Sequence, residues 1–194
     1  QRHGKKLKIG NLKNNRFDIR LRKVSDFEEL AEQLEKVKSS GAPNYFGLQR
    51  FGFKGNNLNW ANRWASGESL RDKKIKSFAL SAVRSFIFNE IVSVRLMSNN
   101  YLEPTSNDVF ILSGSNSYFQ MSETDAKQDI VERLSKRDIA ISAPLVGVED
   151  KKNPIALQPF EQAIVEEHPQ WLALLNEQKV DELRRPISLF PEAM

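Results

Sequence analysis

Residues 43–52 read PNYFGLQRFG, which brings Asn44, Tyr45, Phe46, Gln49, Arg50 and two glycines into ten positions. Amide groups, flat rings and bare backbone that close together suit two structures. One is a tight turn leading into a strand, with Asn44 forming the turn and Phe46 going to the core. The other is a pocket for something flat and polar, in which Phe46 offers a ring to stack on, Asn44 supplies hydrogen bonds and Gly47 lets the backbone come close. Gln49 and Arg50 alternate in direction along the expected strand, so only one of them can face such a pocket. The spacing from Gly47 to Gly52 also matches a phosphate loop. Phe53-Lys54 follows where Lys-Ser/Thr is required, and a strand follows where a helix is required, so the phosphate cradle fails.

Other chemistries have less to work with. Cys is absent, which removes disulfides and thiolate metal sites. His3 and His168 are the only histidines and lie far apart, which argues against a zinc site or a Ser-His-Asp triad. Asp108, Asp138 and Asp150 are scattered without ligand spacing and read as solvated. Charge is more informative. Residues 1–76 hold 18 Lys+Arg against 8 Asp+Glu, a net of +10, whereas residues 77–194 hold 11 against 17, a net of −6. The excess is densest in residues 1–24, where nine Lys/Arg face only Asp18. Such asymmetry suits a polyanion such as nucleic acid, with a solvated basic face as the bland alternative. Arg2, Lys5, Lys6 and Lys8 are the candidates for phosphate contacts that position a nucleic acid without reading it.

The elements that must position these groups follow from periodicity. Phe17, Ile19 and Leu21 alternate with charged residues, predicting a half-buried strand. Ser25 and Glu28 form a capping box for a helix carrying Phe27, Leu30, Leu34 and Val37, and Gly41-Ala42-Pro43 ends it. The motif then reads as loop into strand through about Phe53. Asn56-Asn57 opens a short helix with Leu58, Trp60 and Trp64, ending near Gly67. Composition shifts around Leu70 to Lys76, which sets a boundary between segments 1–69 and 70–194. The second segment starts with a helix, residues 77–96, apolar around more than one face. DVFILSG and SYFQM form a hairpin, Ser122 with Asp125 caps a helix carrying Ile130, Val131 and Leu134, and IAISAPLVG is a strand. The remainder reads as helical to about Leu183, interrupted at Pro169. No apolar run approaches the roughly 18 residues of a membrane span, and no basic-then-apolar leader is present. The class is α+β with more helix than strand, and a cytoplasmic address fits.

NYFGLQRFG at 44–52 resembles the signature of the TruD family of tRNA pseudouridine synthases. RHGKKLKIGNLKNNRF at 2–17, GNNL at 55–58, SFALSAVRSFIFNEIVSVRL at 77–96, LSKRDIAISAPLVG, PFEQAIVEEHP and RRPISLFP are similar to further parts of that family. The resemblance implies part of a mixed-sheet pseudouridine-synthase catalytic domain over 1–69 and a helix-rich α/β inserted domain over 70–194. It also implies isomerisation of uridine to pseudouridine in tRNA, uridine-13 in the D-arm of tRNA(Glu) among others, by an Asp with no metal and no cofactor. Phe46 aligns with the aromatic that stacks on a flipped uracil, and Asn44 with the residue that helps orient the aspartate. tRNA is then the partner, with Arg2, Lys5, Lys6, Lys8 and Arg50 as RNA-binding residues. No membrane is involved, and the protein is expected to be a monomer.

One departure limits the resemblance. The family's nucleophile lies in a G-x-K-D-x-x-A-x-T-x-Q stretch upstream of the segment resembling residues 2–17. The chain opens Gln1-Arg2-His3, so the expectation is the middle of a longer synthase, lacking the nucleophile and the closing return to the catalytic sheet, and inactive alone. Asp138 in SKRDIA imitates the motif without its Thr and Gln and is rejected. A non-catalytic RNA-binding module on the same scaffold is the competing class.

Overall fold

A single long helix organises the chain. In the computed structural model, which describes residues 17–98, 101–115, 117–122, 127–149 and 154–191, helix α4 spans Lys73–Met97. Asp72 caps it, its carboxylate accepting from the N–H groups of Lys74 and Ile75. Ala79, Ala82, Val83, Ile87, Phe88, Ile91 and Val92 are buried, because the helix is covered on several sides, by α3 (Asn56–Ala65), α6 (Pro159–Glu166) and a sheet. By length and composition α4 is long and apolar enough to cross a membrane, contrary to the expectation that no stretch comes close. Its packing here is that of a core helix.

Before α4 lie α1 (Phe27–Ser40), β1 (Ala42–Pro43) and α2 (Leu48–Phe51). After it come β2 (Val109–Leu112), β3 (Tyr118–Gln120), α5 (Lys127–Ser135), β4 (Ile139–Leu145), α6, α7 (Pro169–Glu177), β5 (Leu183–Pro186) and β6 (Ser188–Leu189). The sheet runs β3-β2-β4-β5, antiparallel throughout, and β6 returns to pair with β1. This is the expected α+β arrangement, including the hairpin, the strand at 139–145 and the helix carrying Ile130, Val131 and Leu134. The proposed cap of that helix at Asp125 lies outside the described residues.

Four expectations are corrected. Residues 17–22 form no strand: Phe17 and Ile19 are 75% and 79% exposed. Alternation makes a strand only where a neighbour accepts its ladder, and the described residues supply none. The cap of α1 is Asp26 rather than Ser25. Its Oδ1 accepts from the N–H groups of Glu28 and Glu29, both at 2.9 Å. A carboxylate there also complements the helix dipole. The last stretch is not helical to Leu183. Lys179 adopts a positive φ after α7, and Leu183–Pro186 then pairs with β4. Finally, Asp108 is not solvated. It is fully buried and holds Arg95 of α4 through two bonds, Nη1 to Oδ1 at 2.6 Å and Nη2 to Oδ2 at 2.8 Å. Thr105 N–H and Gln158 Nε2 also donate to it. Burial alone would raise its pKa, but these donors hold it below the ordinary carboxylate value. Asp138 is exposed and pairs with Arg133 at 2.7 Å; Asp150 lies outside the described residues.

Candidate active site

The motif at 43–52 does not run into a strand. After Gly47 it makes the helical turn α2, and the chain reverses through Gly52, whose φ of 77° favours glycine. Asn57 closes the turn, Nδ2 donating to the Arg50 carbonyl at 2.8 Å. The alternation expected of Gln49 and Arg50 therefore does not apply. Arg50 turns toward Phe46, its guanidinium carbon 5.1 Å from the ring centroid, while Nη1 donates to Ser81 Oγ at 2.9 Å.

Asn44 is 4% exposed and is cross-linked to the chain's far end. Its backbone N–H donates to the Ile187 carbonyl at 2.7 Å and its Nδ2 to the Pro186 carbonyl at 2.8 Å. Its remaining oxygen, Oδ1, accepts from Nη2 of Arg185. Phe46 is half-buried, edge-on to Phe88 of α4 with centroids 5.6 Å apart. Asn89 of α4 clamps its backbone: Phe46 N–H donates to Oδ1 at 2.9 Å, and Nδ2 donates to the Phe46 carbonyl at 3.0 Å. Tyr45 shares a hydrogen bond of 3.0 Å with Ser93. The Arg185 guanidinium lies 4.1 Å from the Phe46 ring centroid, a cation–π contact.

A cavity of about 240 Å³ opens beside this cluster, bordered by Phe46, Arg50, Ser81, Arg84, Leu145 and Arg185. It is cationic. Burial lowers the Arg185 pKa, and repulsion from Arg50 lowers it further. Burial lowers that of Arg84 as well, partly offset by Glu182 and Asp181. Guanidinium remains charged through such shifts. The arrangement can hold a flat group on Phe46 and an anion beside it.

Asn44, Phe46 and Arg50 thus come together, whereas Arg2, Lys5, Lys6 and Lys8 lie outside the described residues. His168 pairs with Glu90 at 2.7 Å and stacks on Trp171, and it is not among the residues bordering the cavity. Among the described residues no group of three His, Asp or Glu is placed to hold a metal ion. The sequence reading missed Arg185, Arg84 and Asn89. A signal existed: Ser81, Ser85, Asn89 and Ser93 recur every four residues in an otherwise apolar helix, which puts a polar seam along one face.

A family model described as tRNA pseudouridine synthase D (TruD) matches residues 1–59 and 61–186. The tRNA pseudouridine synthase D of Pseudoalteromonas atlantica is 40% identical over 195 residues, covering 98% of this chain and 55% of that protein. That of Histophilus somni is 41% identical over 187 residues, covering 96% and 55%. The crystal structure of the TruD protein from Methanosarcina mazei shares the fold, with a TM-score of 0.60 at 16% identity over 84% of this chain and 56% of that one. The chain belongs to the TruD family of tRNA pseudouridine synthases. It spans about half the length of the curated relatives it matches.

Proposed function

We propose that this chain is part of an enzyme that isomerises uridine to pseudouridine in tRNA, uridine-13 in the D-arm of tRNA(Glu) being the family site. The N1–C1′ bond breaks, the uracil turns, C5 is joined to C1′ and loses its proton, and N1 takes one up, so that the product is an isomer of the substrate. Residues 1–69 belong to the catalytic domain and 70–194 to an inserted domain. The nucleophilic Asp comes from outside these residues, so the chain alone forms no pseudouridine. The flipped uracil stacks on Phe46 and Asn44 orients the aspartate. Arg2, Lys5, Lys6, Lys8 and Arg50 take RNA phosphates. The chemistry calls for no metal or cofactor, and the enzyme works in the cytoplasm as a monomer.

The observation that supports this reading is that Phe46 and Arg50 border one cationic cavity and Asn44 is tied to it through Arg185, within a chain of this family. Its test is Phe46→Ala in the full-length protein. Pseudouridine formation in unmodified tRNA should fall severely while tRNA affinity stays nearly intact, since one stacked base contributes about 1–3 kcal/mol against many phosphate contacts. Near-normal turnover by folded variant would sink the assignment.

A further inference from the structure

Among the described residues, the two guanidiniums beside Phe46 have no carboxylate paired with them. Among the described residues, arginine ion pairs join Arg63 to Glu68, Arg95 to Asp108, Arg133 to Asp138 and Arg184 to Glu161. Neither Arg50 nor Arg185 has one, and Arg50 is the neighbouring charge that acts on Arg185. Both lean on the same aromatic ring, which softens their repulsion without neutralising it. Among the described residues three arginine N–H donors are buried with no acceptor: Nε of Arg185 and Nε of Arg84, both on side chains at this cavity, and Nη1 of Arg184 away from it. Buried donors are nearly always paired, so two orphans on arginines lining one cavity mark a place where a ligand supplies the acceptors. Ser81 Oγ, already bonded to Arg50, stands at the same wall.

We propose that this cavity seats one phosphodiester group of the bound RNA, next to the nucleotide whose base lies on Phe46. Arg50 and Arg185 neutralise the phosphate from the Phe46 side, and Arg84 and Ser81 face it across the cavity. Planar guanidinium forks suit phosphate oxygens better than a point charge does. Arg185 also donates to Asn44 Oδ1 and covers the Phe46 ring, so the same side chain ties the phosphate seat to both motif residues. This inference rests on the RNA reading above and adds to it a defined subsite for a backbone phosphate.

The test uses the 194-residue chain and a fluorescein-labelled seven-nucleotide RNA with one central uridine. Two further versions carry a neutral methylphosphonate on the 5′ or the 3′ side of that uridine. Neutralising one of the two linkages should weaken binding to wild-type protein about tenfold, as expected for one charge-assisted contact. Arg50→Gln, a change at an exposed side chain, should weaken the fully charged RNA and shrink that tenfold difference to less than threefold. Arg185→Lys provides a second variant that keeps the charge and loses the fork, and it should behave similarly. An equal linkage effect in wild type and both variants, or no linkage effect in wild type, overturns the proposal. Inorganic phosphate alone is titrated in parallel. Binding as tight as that of the RNA would make the site one for free anions and overturn the RNA assignment. The linkage effect is a binding measurement, so it stands or falls separately from the turnover of Phe46→Ala.

Discussion

Asn89→Ala removes the clamp on Phe46 and can be worked through in numbers. The wild-type amide makes two hydrogen bonds to the Phe46 backbone, at 2.9 and 3.0 Å, in a part-buried position. Neutral bonds of this kind contribute about 1 kcal/mol each, net, so their loss costs about 2 kcal/mol. The Phe46 N–H and C=O are then left without a protein partner, which adds on the order of 0.5–1 kcal/mol where water reaches them only in part. Alanine is the better helix former in the middle of α4 and returns about 0.6 kcal/mol. The balance is a loss of about 2 kcal/mol, or a Tm lower by about 4–8 °C for a chain of this size. Urea denaturation followed by circular dichroism measures it. Ser93→Ala is the control, since it leaves the Phe46 clamp in place and removes the Tyr45 contact and the bond of Ser93 Oγ to the Asn89 carbonyl within the helix. It should cost less than Asn89→Ala, about 1 kcal/mol or under. In the full-length protein, Asn89→Ala should also lower pseudouridine formation far more than Ser93→Ala does, because it frees the ring proposed to hold the base. An Asn89→Ala protein within 0.5 kcal/mol of wild type would show that Phe46 is fixed by its ring contacts alone, and would refute the reasoning.

Three further outcomes follow from other parts of the molecule. Asp108→Ala strands Arg95 in the interior and should cost about 3–5 kcal/mol, read from the denaturation midpoint. The Asp108 pKa is lower folded than its ordinary value of 3.8, so its contribution is present above that value and lost as pH falls through the depressed native value. The gap between wild type and Asp108→Ala should narrow only at such acid pH. Gly147→Ala would put a Cβ 2.2 Å from the Val180 carbonyl oxygen and 2.8 Å from the backbone of Asp181 and Glu182. Backbone must shift there, with a loss of about 1–3 kcal/mol by thermal denaturation. Replacing Lys5, Lys6 and Lys8 by Ala should weaken tRNA binding and flatten the slope of log K against log salt by roughly one unit per lost contact. An unchanged slope would place these lysines in solvent.

What could be read from the sequence divides along physical lines. The apolar period of α4, the hairpin at 109–120 and the strand at 139–145 were legible because burial of side chains at fixed spacing decides them locally. The end of α1 was legible because Gly41 and Pro43 leave the backbone few choices. The turn after Gly47 was not. Leu48–Phe51 carries four side chains that suit a strand as well as a helix, and Asn57 and Ser81, 7 and 31 residues further on, settle the matter by bonding Arg50. Residues 17–22 failed the other way, since a strand pattern says nothing about whether a partner is present. Asp108 looked solvated because its partners, Arg95 and Gln158, lie 13 and 50 residues away, beyond any local pattern. The site was half legible. Asn44, Phe46 and Arg50 were visible in one motif, whereas Arg185 joins them from β5, 141 residues on from Asn44, a pairing that no local pattern announces.

The polar seam of α4 explains how so short a motif can be held firmly. From Asn44 to Phe51 the chain has only one four-residue helical turn of its own, and a helix that short contributes little to its own stability. Its fixed points are external. Ser81 takes Arg50, Asn89 takes the Phe46 backbone, Ser93 takes Tyr45, and Pro186, Ile187 and Arg185 take Asn44. Apart from Asn57, which bonds the Arg50 carbonyl, these partners belong to residues 70–194, the segment proposed as an insertion. The apolar faces of α4 in turn bind that helix to the sheet and to α6, and Arg95 anchors it to Asp108. Core packing therefore sets the position of the seam, the seam sets Phe46, and β5 sets Asn44 and Arg185. The proposed division at residue 70 is then not a division of mechanics. The motif contributes the ring and the amide, and the second segment supplies the frame that aims them and most of the charge that surrounds them.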